Sequence, residues 1–202
     1  MDEPACTTGC AAVQDIPAII SFEKRYFDTC WQSKPDTLKS LIEKNPMMFR
    51  LCKVDDTLKG YYGVLPLPHH IWQKTLKGQI LEEDVMPYII PFEAPEVYLY
   101  IYSVIVDVAD NRHKTYTREL IDDFARNFIL GQKFKAVGAF TVSEGGRRLV
   151  ERSHFLYKGG FRGNNGIYVR SYAIKRESLL QQVLIYFPVA WAVFIQLQDY
   201  SK

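Results

Sequence analysis

Apolar residues at Ile16, Ile19, Ile20, Tyr26, Phe27 and Cys30 recur at helical spacing, and Asp15 stands ahead of Pro17 as a capping residue. This pattern predicts a first helix over 16–31. A second, shorter helix is predicted over 34–44, opened by Pro35-Asp36 and closed by Asn45-Pro46. The period then changes. Short apolar and aromatic runs at 48–54 and 60–67 flank Asp55-Asp56-Thr57-Leu58-Lys59 and predict an antiparallel hairpin. Pro66, Pro68, Pro87, Pro91 and Pro95 interrupt the chain beyond the hairpin, so 69–93 reads as one short helix inside an irregular excursion.

From 96 to 108 the chain is almost continuously apolar or aromatic, which predicts a strand covered on both faces. A helix over 116–130 comes next, with Leu120, Ile121, Phe124 and Phe128 as its stripe and Gly131 as its stop. Another buried strand is expected over 136–142, a short helix over 147–155 and a late strand over 167–174. Two helices, a hairpin, and then strands alternating with helices predict an α/β or α+β sheet protein.

Composition narrows the partners. The chain has 202 residues, 48% of them hydrophobic, enough for one large core. Its 25 basic and 23 acidic residues are dispersed and leave a net charge of +2, so no nucleic-acid partner is expected. Cys6, Cys10, Cys30 and Cys52 have neither paired C-x-x-C spacing nor the density of a disulfide scaffold, which fits a reducing cytoplasm. Met1-Asp2-Glu3 opens no secretory pattern, and a cytoplasmic location is expected. The apolar run 183–197 would extend about 22 Å as a helix, short of the ~30 Å hydrocarbon core, so no transmembrane span is expected. A segment this apolar needs cover, either on its own domain or in a homodimer.

The clearest chemical signal is the passage from strand to helix. Val104, Ile105 and Val106 run through the polar turn Ala109-Asp110-Asn111-Arg112-His113-Lys114 into the helix. The first N–H groups of a helix lack intrahelical partners and its dipole is positive there, so this turn is an anion-binding geometry. Other suggestive residues carry less. His69-His70 has no partner at ligand spacing, so no metal site is expected. The stretch 159–166 holds four glycines without a Gly-Lys-Ser/Thr ending and reads as a connection before a strand. Tyr98, Tyr100 and Tyr102 share one strand face, lining an acceptor pocket or packing under a helix.

In order and spacing, several of these segments resemble the GNAT superfamily of N-acetyltransferases over about residues 10–176. Ala11-Ala12-Val13-Gln14-Asp15-Ile16-Pro17-Ala18-Ile19 and then Phe22-Glu23-Lys24-Arg25-Tyr26-Phe27 look like that family's first helix. Lys59-Gly60-Tyr61-Tyr62-Gly63 is similar to its strand pair, and Arg112-x-x-Thr115-x-Thr117 to its Gln/Arg-x-x-Gly-x-Gly/Ala signature. The segment from Glu144 to Phe155 resembles the next helix, with His154 where the family's terminal Gly-Phe has glycine.

The resemblance implies a mixed, mostly antiparallel sheet flanked by helices and splayed at the central strand. Residues 1–176 would form the domain and 177–202 an extension. It implies acetyl-CoA or another acyl-CoA as co-substrate and a small-molecule or protein amine as acceptor. The backbone at Val106 and Val108 would meet pantetheine, and Arg112, His113, Lys114, Thr115, Tyr116 and Thr117 would hold the pyrophosphate. Glu96, with Asp107 as an alternative, would act as base. The family's tyrosine position falls near Val150, leaving Tyr157 as the nearby acid. Thr115 and Thr117 replace two glycines. Either their hydroxyls join the anion site, giving an N-acyltransferase, or their side chains fill it, leaving a catalytically degenerate binding protein.

Overall fold

The computed structural model describes residues 5–163 and 166–186. Seven strands form a mixed α/β sheet in the order β1-β2-β3-β4-β5-β7-β6, antiparallel at β1/β2, β2/β3 and β5/β7. The described residues divide into two compact units. One takes the residues up to 65, 101–123 and the turn at 162–167; the other takes 66–100, 124–161 and the residues from 168 onward.

In the first unit, β1 (Thr7–Cys10), β2 (Phe49–Val54) and most of β3 (Thr57–Leu67) lie side by side. Pairing of Val54 with Thr57 leaves only Asp55 and Asp56 to turn the chain, at φ 46° and 60°. Aspartate tolerates this left-handed pair of a two-residue hairpin, so the turn is shorter than the five residues expected. Helix α1 (Ile16–Tyr26) buries Ile16, Ile19, Phe22 and Glu23, and α2 (Pro35–Lys44) buries Leu38, Leu41 and Ile42.

Two expectations for α1 are corrected. The helix stops at Tyr26, and 29–31 form a separate 3-10 turn. Asp15 does not cap it; one carboxylate oxygen accepts from the Ala12 N–H at 2.8 Å and the other pairs with Lys53 at 2.6 Å. Strand β1 was not expected from the sequence, because an edge strand with no buried position has no alternation to read. Its pairing of Thr8 with Cys52 brings Cys6 within disulfide reach, and Cys6 and Cys52 are bonded. The reading of all four cysteines as thiols is thereby corrected, Cys10 and Cys30 being the two that keep theirs.

In the second unit, α3 (His69–Leu76) packs Trp72 and Leu76 over Gly138 of β5 (Ala136–Thr141), where an added Cβ would meet both side chains within 2.9 Å. Trp72 Nε1 donates to the Leu99 carbonyl at 2.9 Å. Helix α5 (Glu144–Arg152) is capped by Ser143, whose hydroxyl accepts from the Gly146 N–H. The glycine-rich stretch is not a connection throughout: Gly159 and Gly160 lie inside β6 (Leu156–Arg162), and the turn to β7 (Tyr168–Lys175) is confined to residues after Arg162. Gly160 is required there because a Cβ would strike the Tyr168 ring and the Val169 carbonyl.

Helix α4 (His113–Phe124) runs into a π-helical turn over Ala125–Leu130. Its buried face is Tyr116, Leu120 and Asp123, while Ile121 is 45% exposed, so the expected stripe is rotated. Helix α6 (Arg176–Tyr186) comes after β7. Apart from 183–186, the apolar run 183–197 lies outside the described residues. Among the described residues no helix is long and apolar enough to cross a membrane.

Candidate functional site

Strand β4 (Tyr98–Val106) buries Leu99, Tyr100, Ser103 and Ile105, as a central strand should. Towards its end the cover fails: Val104 is 36% exposed and Val108, just past the strand, is 63% exposed. The expectation of cover on both faces therefore holds only for the first part. The Asp107 N–H donates to the Lys59 carbonyl on β3 at 2.8 Å. Backbone groups alternate sides along an extended chain, so the Val106 peptide groups point away from β3, while Val108 stands in the turn closed by the Asp110 N–H on the Asp107 carbonyl. Gly60 keeps β3 this close, since a Cβ there would sit 2.9 Å from the Ile105 carbonyl oxygen.

The loop after β4 is organised by Asp110. One oxygen of its carboxylate accepts from the Arg112 N–H at 2.9 Å; the other takes Lys59 Nζ at 2.7 Å and the Tyr116 hydroxyl at 3.0 Å. Lys59, the Arg112 N–H and Tyr116 together hold this carboxyl down to about 2. The His113 N–H bonds the Asp110 carbonyl, and those of Thr115 and Tyr116 bond the Arg112 carbonyl. Four N–H groups expected to face an anion are thus bonded within the loop. Thr117 donates its hydroxyl to the His113 carbonyl at 2.8 Å, and Thr115 and Lys114 are exposed. The threonines accordingly sit in regular helix, where β-branched residues are tolerated. The residues sequence reasoning missed here are Asp110 and Lys59. An aspartate two residues ahead of the arginine that precedes a helix is a readable Asx turn, but its lysine partner lies on a strand.

Asp107, the alternative base, is a buried partner of Tyr26, whose hydroxyl donates to it at 2.5 Å, and of Lys59 at 3.6 Å. In the second unit, Glu96 is exposed and accepts from the Tyr98 hydroxyl at 3.3 Å. Tyr157, 54% exposed, lies on β6 with its hydroxyl 3.2 Å from that of Tyr168, and this bond holds it above the ordinary tyrosine range. A cleft of about 790 Å³ in this unit is lined by Tyr98, Leu156 and Lys158, among others, but by neither Glu96 nor Tyr157. Strand alternation turns Tyr157 away from its two neighbours. Tyr100 is buried, with its hydroxyl donated to Glu82 and its ring edge-on to Phe140. Burial pushes the Glu82 carboxyl up to about 7, a property its sequence context did not announce.

No protein-family model and no curated protein sequence matches the chain. Solved structures do. The loading GNATL domain of CurA from Lyngbya majuscula superposes with a TM-score of 0.65 at 12% identity, over 86% of this chain and 98% of that one. A GphF GNAT-like decarboxylase in complex with isobutyryl-CoA gives 0.65 at 11% identity, over 84% and 99%. Ard1 from Thermoplasma volcanium gives 0.59 at 11% identity, over 85% and 97%. Likeness at such low identity is likeness of architecture, and this chain has the GNAT fold.

Proposed function

We propose that the protein is an acyl-CoA-dependent N-acyltransferase that transfers its acyl group directly to an amine. The observation that carries this reading is the exposed end of β4. The Val106 peptide turned away from β3, with Val104 and Val108 exposed, would offer an extended amide chain such as pantetheine a strand-like partner, which Val108 would continue at the turn. Arg112, just ahead of the next helix, and His113 and Lys114 in its first turn form a cationic set suited to a pyrophosphate. The donor set fits the group in charge, while Asp110 competes for the backbone N–H groups.

Bound acyl-CoA would supply a thioester carbonyl open to attack by the amine. We assign Glu96 the removal of the ammonium proton, by way of water, and Tyr157 the return of a proton to sulfur. The Tyr157 hydroxyl is protonated at neutral pH, as an acid must be, and the Tyr168 bond raises it further, which makes it a reluctant donor. Titration with acetyl-CoA is the direct test. Binding is expected, and Arg112→Ala should weaken it about tenfold, the usual worth of a charge-assisted hydrogen bond. Release of CoA thiol across a panel of amines should fall in Glu96→Gln and Tyr157→Phe with acetyl-CoA affinity kept.

The engagement of four loop N–H groups favours a second reading, a non-catalytic module. Absence of both heat and thermal shift at millimolar acetyl-CoA would establish it in place of the first. We take the protein's acceptor to be a small molecule or a protein amine.

A further inference from the structure

The 790 Å³ cleft of the second unit has a constructed floor. On β5 and β7 the cross-strand pairs Ala136–Lys175 and Gly138–Ala173 share one sheet face; Trp72 and Leu76 cover Gly138, and the small side chains of Ala136 and Ala173 line the cleft beside Lys175. One wall is aromatic: the His69 ring stacks on Tyr98 at 4.4 Å, and Tyr98 lies 5.0 Å from the buried Trp72. The lining includes Lys77, Lys135, Lys158 and Lys175, against Glu177 as its acid. Among the described residues no ion pair involves any of these four lysines. A concavity of ligand size lined by four lysines and one acid favours an anion.

A second observation concerns His154, which also lines the cleft. It closes α5 at φ 57°, with the Phe155 N–H on the Val150 carbonyl and the His154 N–H on the Glu151 carbonyl. This is the left-handed position of a helix C-terminus, where glycine is usual and a side chain is strained. A strained residue whose side chain borders a cationic cleft marks a site where the side chain itself is used.

We propose that this cleft binds a small organic anion, a phosphate or carboxylate carried on an aromatic body. The acid group sits among Lys77, Lys158 and Lys175, and the ring lies against the His69–Tyr98 stack. Apolar contact and charge attraction act together, so each half of the ligand alone binds weakly. The inference does not rest on the acyl-transfer reading, whose co-substrate site is the first unit's loop and whose proposed base and acid, Glu96 and Tyr157, do not line this cleft.

The test is isothermal titration of the full chain with 1-naphthyl phosphate. Measurable binding is expected, weakened about tenfold or more in Lys158→Glu/Lys175→Glu and tightened in Glu177→Gln. Inorganic phosphate and 1-naphthol should each bind at least about tenfold more weakly than the joined compound. Lys77→Gln, at an exposed helix end, serves where the double variant fails to fold. Arg112→Ala should leave the affinity unchanged. The proposal is overturned by no binding at millimolar probe, by affinity insensitive to the lysine variants, by loss in Arg112→Ala alone, or by inorganic phosphate binding equally well.

Discussion

Glu82 is a carboxylic acid half-protonated near neutrality, because burial disfavours its charge more than the Tyr100 hydroxyl favours it. Its folded value of about 7 lies above the ordinary 4.5, so between these the folded protein binds the extra proton. The stability it contributes is present below pH 4.5 and is lost as pH rises towards 7. Glu82→Gln should therefore raise the melting temperature at pH 8 and leave it little changed at pH 4; equal shifts at both would contradict the assignment. His154→Gly should stabilise the fold by about 1 kcal/mol in denaturant titrations by relieving the left-handed strain, while weakening anion binding in the cleft. Gains in stability and in affinity together would remove the reason given for the histidine. Glu82 is not conspicuous in sequence, since an acidic residue in a loop looks ordinary until burial is known; His154 stood out only as a replacement for the family's glycine, and its φ gives that departure a physical meaning.

At the scale of elements, α4 is fixed to the sheet by polar contacts as well as apolar ones. Asp123 receives two bonds from Arg50 of β2, at 2.9 and 2.7 Å, and one from Tyr62 of β3 at 2.7 Å. Burial pushes the Asp123 carboxyl up, but Arg50 and Tyr62 bring it below its usual value. Asp123→Ala should cost about 3–5 kcal/mol because Arg50 would stay buried without its counter-charge. The double variant Arg50→Met/Asp123→Leu should recover much of that loss in the same unfolding measurement. The helix itself was legible from its periodicity, but its inward face was not, since a hydrophobic count ranks Ile121 above Asp123. Strands β2, β3, β5 and β7 were legible because each has a run of buried residues. Strands β1 and β6 lie at the two edges of the sheet with mostly exposed positions, and pairing alone makes them strands.

For the whole molecule, opposing carboxyl shifts shape the pH dependence of stability. Asp110 and Glu144 are each held down to about 2, the first mainly by Lys59 and the second by Arg147 and Arg148, and Asp123 is lowered as well. Their contribution is present above the ordinary range of 3.8 to 4.5 and is lost as pH falls towards 2. Glu82 acts on the other side, so these groups place greatest stability near pH 4.5 to 5. Thermal melts from pH 2 to 8 should trace a dome, and a monotonic rise across the range would refute this balance. The sequence by itself determined the order of the helices and buried strands between residues 16 and 174, the hairpin, and the strand–turn–helix whose motifs pointed to the GNAT fold. Local spacing encodes these, through residues that meet their neighbours within a turn or along a strand. Only the tertiary structure decided that Asp110 joins the Arg112 amide to Lys59, that Val104 and Val108 at the end of β4 are exposed, that Cys52 meets Cys6 and that lysines from separate elements line one cleft. Each depends on residues far apart in the chain, whose meeting is set by strand register and burial.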